Sequence, residues 1–272
     1  MKKLSRVYFW FVMAFLYMPI GVLIFFSFNQ SKSRSVFTGF TLDWYRKLFS
    51  NNVILNSLRT TLIIAVISTI FAVIIGTAAA IGINSMNKWM RGMIMNVTYL
   101  PIINPEIVTG VSLMLLFVFM KNKIGIPIQF GYPTLILAHI TFNIPYVILN
   151  VLPKLRQMDR FVYEAALDLG CTPFQAFWKV VLPEISPGVV SGFLMAFTYS
   201  LDDFIISYFN SGATSQTLPI TIYSMTRRKV SPEINALSTI IFAVVIAVLV
   251  IYNIMDARKE KHTKRKAGAE SL

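Results

Sequence analysis

The chain is poor in the residues that do chemistry. Among 272 residues there is one cysteine, Cys171, and there are two histidines, His139 and His262. A single cysteine excludes an internal disulfide, and no cluster of cysteine, histidine and acid has the spacing of a metal site. Charged side chains make up only 14% of the chain, and 12 acids face 25 basic residues. There is no Gly-x4-Gly-Lys-Ser/Thr phosphate loop, so the chain is not an ATP-hydrolysing subunit. No serine or threonine has a histidine and an acid at nucleophile spacing, and no enzymatic activity of its own is expected. What is abundant is apolar: 56% hydrophobic residues and a mean hydropathy of +0.64 describe an integral membrane protein. A net charge of +13 on a soluble fold would suggest a nucleic-acid partner. Here it is loop and tail charge, and no nucleic-acid partner is expected.

A helix crosses the ~30 Å hydrocarbon core with about 20 mostly apolar residues. Six such spans are predicted in an all-α membrane fold: residues 8–28, 58–83, 93–120, 134–151, 188–209 and 234–255. The first competes with a cleaved signal peptide. Its apolar run is too long and lacks a small-x-small cleavage site, so a retained anchor is expected. The second is rich in small residues (Gly76, Ala78, Ala79, Ala80, Gly82) that permit close helix packing. A modest excess of Lys and Arg on one side places both termini in the cytoplasm. The chain reads as one transmembrane domain over 1–272. Thr41–Phe49 has the pattern of a short amphipathic helix with Leu42, Tyr45, Leu48 and Phe49 on one side, and Trp44 and Tyr45 suit interfacial anchors or ligand contacts. The outer loop 210–233, with the run Arg227–Lys229, suits either an external partner or a solvated connector. The basic tail 256–272 suits a topology signal near anionic headgroups.

Between the fourth and fifth spans lies a polar stretch, residues 154–187, on the cytoplasmic side. Two short helices are predicted there. In the first, Val162, Ala165, Ala166 and Leu169 share a face, while Arg160, Glu164 and Asp168 line another side at four-residue steps. Gly170 is the expected stop, since glycine takes the left-handed cap without a Cβ clash. Thr172 opens the second helix, with Pro173 at its first position and Gln175 completing a capping box. Its apolar face is Phe174, Phe177, Trp178 and Val181, and Pro183 is expected to end it.

Glu164-Ala165-Ala166, then Gly170 followed by the small Cys171, then Val180, Leu182 and Pro183, resembles the EAA loop of permeases in binding-protein-dependent ABC importers. The resemblance implies a type I importer (MetI-like) permease fold in the bacterial cytoplasmic membrane. It also implies that Glu164, Ala165, Ala166, Asp168, Gly170, Leu182 and Pro183 couple to a partner ATPase homodimer, which would hold ATP and Mg. No cofactor is expected on this chain.

Ionisable residues within apolar spans are costly and usually functional. Glu106, Asp202 and Asp203 stand out, with His139 read as a hydrogen-bonding partner of a neighbouring helix. Pro101 and Pro105 free carbonyls beside Glu106. Glu106 lies 13 residues beyond Met93 and Asp202 lies 14 beyond Gly188, so both sit about 20 Å from the cytoplasmic end of their spans. These acids, with Trp44 and Tyr199, form the candidate substrate path.

The stretch Ser200–Ser207, with Leu218–Pro219–Ile220 and Ser231–Leu237, resembles the spermidine/putrescine branch of the same family over nearly the whole chain. That implies a second homologous permease subunit and an extracytoplasmic polyamine-binding protein. Permeases for ferric iron, amino acids or other small solutes share the EAA loop, and a secondary transporter or a multi-span enzyme would be readings of another class. Loss of transport on ATP depletion separates them.

Overall fold

The computed structural model describes residues 2–31, 36–228, 232–247 and 250. The basic tail 256–272, the far end of the sixth expected span and Lys229 of the outer loop lie outside them. The described chain is almost entirely helical: α1 (Lys2–Ser27), α2 (Asp43–Ser50), α3 (Asn52–Ser85), α4 (Lys88–Ile103), α5 (Glu106–Phe119), α6 (Tyr132–Gln157), α7 (Arg160–Asp168), α8 (Pro173–Ala176), α9 (Leu182–Asp202), α10 (Ile205–Asn210), α11 (Leu218–Arg228) and α12 (Pro232–Ala247). Among the described residues five helical stretches are long and apolar enough to cross a membrane: Ser5–Ser27, Asn52–Ser85, Glu106–Ile124, Tyr132–Gln157 and Pro173–Asp202. The sixth expected span is represented by α12, a shorter apolar helix.

The second and fourth spans run further than the sequence predicts, over Asn52–Ser85 and Tyr132–Gln157, and four other features differ. The third span, expected to be continuous over 93–120, is split into α4 and α5 at Asn104–Pro105, because Pro105 has no N–H to continue the ladder. The fifth is split at Asp203–Phe204 into α9 and α10. Pro183 does not end a helix. A π turn over Phe177–Val181 precedes it, and the widened turn lets helix run on past the missing N–H from α8 into α9. The outer loop 210–233 contains the helix α11.

The described residues divide into two compact units, one within 53–223 and a second formed by those of 1–52 with those from 224 onward. In the larger, α3, α6 and α9 enclose a core of Ala72, Ala80, Val147, Val151, Ile185 and Ala196. Small residues allow this approach. A Cβ on Gly76 would lie 2.7 Å from Val147 Cβ, and one on Gly188 would lie 2.7 Å from the Asn150 carbonyl oxygen. Of the other small residues of α3, Ala80 is buried, while Gly82 has open space around it. Gly76→Val is therefore expected to deplete folded chain in the membrane severalfold, and Gly82→Val to leave it unchanged, as read by immunoblot and thermal aggregation of the solubilised protein.

In the smaller unit the amphipathic helix forms as α2, but with another face inward. Trp44 and Leu48 are buried, and Leu42 and Phe49 are exposed. The Trp44 indole Nε1 donates to the Asn29 carbonyl at 2.7 Å, and the Tyr45 hydroxyl pairs with Ser27 Oγ at 2.7 Å.

Candidate functional site

The two breaks in the larger unit place acids at helix ends. Glu106 is the first residue of α5, where the helix dipole favours a carboxylate. Asp202 is the last residue of the 21-residue α9, where unpaired carbonyls already carry partial negative charge. A carboxylate there is electrostatically disfavoured until a cation joins it. An ionised acid at the centre of a bilayer costs about 2.5–3.5 kcal/mol, and irregular backbone is tolerated at that depth only where it lines a cavity or is buried in protein.

Such a cavity is present. It has a volume of about 350 Å³, and Glu106, Tyr199, Asp202 and Asp203 all line it. The structure thus brings together four of the five residues placed in the candidate path from sequence. The fifth, Trp44, is not among the lining residues; it belongs to the smaller unit, with its indole N–H already satisfied. Residues that sequence reasoning did not select complete the wall: Thr109, Phe142, Tyr146 and Phe204. Tyr146 and Tyr199 face one another with ring centroids 4.4 Å apart and planes 30° apart. Phe204 packs against Tyr223 at 4.6 Å. The available signal for Tyr146 was its place after Pro145, within a span and on the turn below Phe142.

The two neighbouring aspartates differ. Asp202 is exposed at the wall. The Asp203 side chain is 5% exposed and accepts the Ile206 amide at 3.2 Å and the Ser207 amide at 2.7 Å, so it caps the start of α10. His139 is fully buried and joins neighbouring helices, as its sequence context predicts. Its Nε2 lies 3.0 Å from Ser207 Oγ and its Nδ1 is hydrogen-bonded to Ser200 Oγ.

The polar stretch forms a second surface. Cys171 N–H donates to the Ala166 carbonyl at 3.1 Å and Gly170 N–H to that of Leu167 at 2.9 Å. This is a Schellman cap, with Gly170 at φ +88°. Thr172 and Gln175 form the predicted capping box, each accepting the other's amide at 3.3 and 3.2 Å. The expected apolar faces are only partly used within the chain. Ala166 and Val181 are buried, but Leu169 is 86% exposed and Phe161 and Phe174 are each 72% exposed. Glu164, Ala165, Asp168 and Pro183 are exposed, and Leu182 is half-buried against the core. Leu169, Phe161 and Phe174 thus stand exposed on a hairpin whose helix ends are capped.

Broken apolar helices around an acidic cavity, with a capped helical knuckle beside them, define a transport subunit of a membrane. Residues 72–265 match the family described as binding-protein-dependent transport system inner membrane component, and the chain belongs to that family. It is 40% identical to the putrescine transport system permease protein PotI of Escherichia coli K12, over 92% of this chain and 90% of that one. It is 34% identical to the spermidine/putrescine transport system permease protein PotC of the same strain, over 92% of each. The fold is similar to a chain of a bacterial alginate ABC transporter crystallised with an alginate-bound periplasmic protein, with a TM-score of 0.70, 20% identity and coverage of 92% and 91%.

Proposed function

We propose that this chain is one of two permease subunits of an ABC importer for polyamines, and that the cavity between the broken third and fifth spans is part of the substrate path. The observation that carries the reading is the pairing of Glu106 and Asp202 at the ends of broken helices, beside the facing rings of Tyr146 and Tyr199. Carboxylates suit ammonium groups, and tyrosine faces attract cations by about 0.5–2 kcal/mol while covering methylene stretches. Acids on two elements give an extended polycation successive partners, each ammonium leaving one carboxylate as the next engages. The names of relatives such as PotI and PotC support the same substrate class.

In this reading the knuckle 154–187 faces the cytoplasm and docks on an ATPase homodimer, which supplies the hydrolysis this chain lacks. A binding protein delivers polyamine from outside, and a second homologous permease completes the path. The test is uptake of labelled putrescine and spermidine by cells without other polyamine transport, with the chain and its partners present or withheld. Saturable uptake that stops on ATP depletion and resists competition by amino acids is expected. Uptake of amino acids or ferric iron in its place would assign another substrate.

A further inference from the structure

We infer that Asp203 and His139 form a positioning pair, which holds the break in the fifth span and so aims the adjacent Asp202 carboxylate into the cavity. The inference rests on the cavity being the substrate path, and it separates two acids that adjacency in sequence makes look equivalent.

Both Asp203 oxygens are engaged. Oδ1 accepts the Ile206 amide at 3.2 Å. Oδ2 accepts the Ser207 amide at 2.7 Å and lies 3.5 Å from His139 Nε2. The His139 ring spans the break: Nδ1 bonds Ser200 Oγ, before it, and Nε2 lies 3.0 Å from Ser207 Oγ, after it. Ser200 Oγ is in turn 3.1 Å from Ser68 Oγ on α3. One buried imidazole therefore ties both halves of the span to α6, and a serine pair ties the first half to α3. A neutral ring satisfies this arrangement, with the Nε2 hydrogen toward Asp203 and Ser207 and Nδ1 accepting from the Ser200 hydroxyl.

Asp203 cannot turn toward an amine without releasing two amides in a buried place, where unpaired polar groups are costly. Asp202 holds no α10 amide; it is exposed at the cavity wall. One acid is thus fixed to the scaffold and the other is available to the passing cation. An asparagine at 203 keeps one carbonyl oxygen, which in the place of Oδ2 can still accept the Ser207 amide and face the His139 Nε2 hydrogen, and it gives up the longer bond from the Ile206 amide. An alanine keeps neither.

The experiment measures kinetics of labelled polyamine uptake with all partner subunits present, normalised to the amount of chain in the membrane. Asp203→Asn is expected to retain at least a third of wild-type uptake. Asp203→Ala is expected to raise KM at least fivefold and cut uptake at least tenfold at low substrate, with His139→Ala behaving alike. Because Asp203 acts through Asp202, adding Asp203→Ala to Asp202→Asn should deepen the loss by less than twofold. If the alanine variant does not reach the membrane, Asp203→Ser, which keeps one acceptor, takes its place with an intermediate loss. The inference is overturned if Asp203→Asn is as impaired as Asp203→Ala, or if the double variant shows the product of the two single losses. Normal uptake by Asp202→Asn is a different result, and it would overturn the substrate path itself.

Discussion

Asp202→Asn is expected to lower polyamine uptake at least tenfold while leaving the chain in the membrane and assembled with its ATPase. The amide keeps the size and shape of the side chain and removes the charge. Asp202 ends a 21-residue helix, so the neutral variant relieves an electrostatic cost to the fold and should not destabilise it. What it removes is the charge that the proposed path offers an ammonium at the cavity wall. A tenfold loss corresponds to about 1.4 kcal/mol of transition-state stabilisation, modest for a charged hydrogen bond away from bulk water. Glu106→Gln, at another residue lining the same cavity, should act in the same direction. Uptake assays with an immunoblot of membrane amount and co-purification of the ATPase separate the outcomes. Failure to assemble would make these acids structural, and normal uptake by both variants would remove the carboxylates from the path.

Gly170→Val is expected to abolish coupled transport while polyamine-independent ATP hydrolysis persists or the ATPase dissociates. Gly170 sits at φ +88° and its amide closes the Schellman cap of α7. A β-branched residue is strained there by about 1–3 kcal/mol. Nothing lies within 4 Å of a Cβ at this position, so the effect would come from the backbone, which would re-aim α7 and the exposed Leu169. Glu164→Lys reverses an exposed charge on the same helix and should weaken docking. ATP hydrolysis and uptake measured together report both. A Gly170→Val protein that couples normally would show that the angle between α7 and α8 does not matter.

Much of this hairpin was legible in the sequence because caps are local. Thr172, Pro173, Gln175 and Gly170 act through neighbours within four residues, and their spacing specifies the hydrogen bonds they make. Pro183 was misread for a non-local reason: proline's effect depends on the turn before it, and a π turn at Phe177–Val181 has no simple sequence signature. The inward face of α2 was likewise set by Asn29, fourteen residues upstream of Asp43, whose carbonyl takes the Trp44 indole. The acids were visible as charges in apolar runs; their equal depth was counted along unbroken helices, and the break at Asn104–Pro105 removes that count for Glu106. Both aspartates line the cavity, and which of them is held by backbone amides was not visible. That is decided by His139 and by the α10 amides, which reach Asp203 only once the helix has broken.

The central claim, that the cavity conducts polyamine, is tested most directly by a reporter inside it. Thr109 is half-buried and lines the cavity without carrying charge. Cys171 is the single cysteine of this chain, so Thr109→Cys on a Cys171→Ser background offers one thiol on this chain, and the Cys171→Ser transporter, first shown to transport, is treated alongside as the control for thiols of the other subunits. Treatment with a trimethylammonium-bearing methanethiosulfonate reagent is expected to block uptake, because it places a fixed cation beside Glu106 and Asp202. Spermidine or putrescine is expected to slow that block at concentrations near KM. A thiol that reacts equally fast with and without polyamine, or that is fully modified with uptake unchanged, would contradict the account.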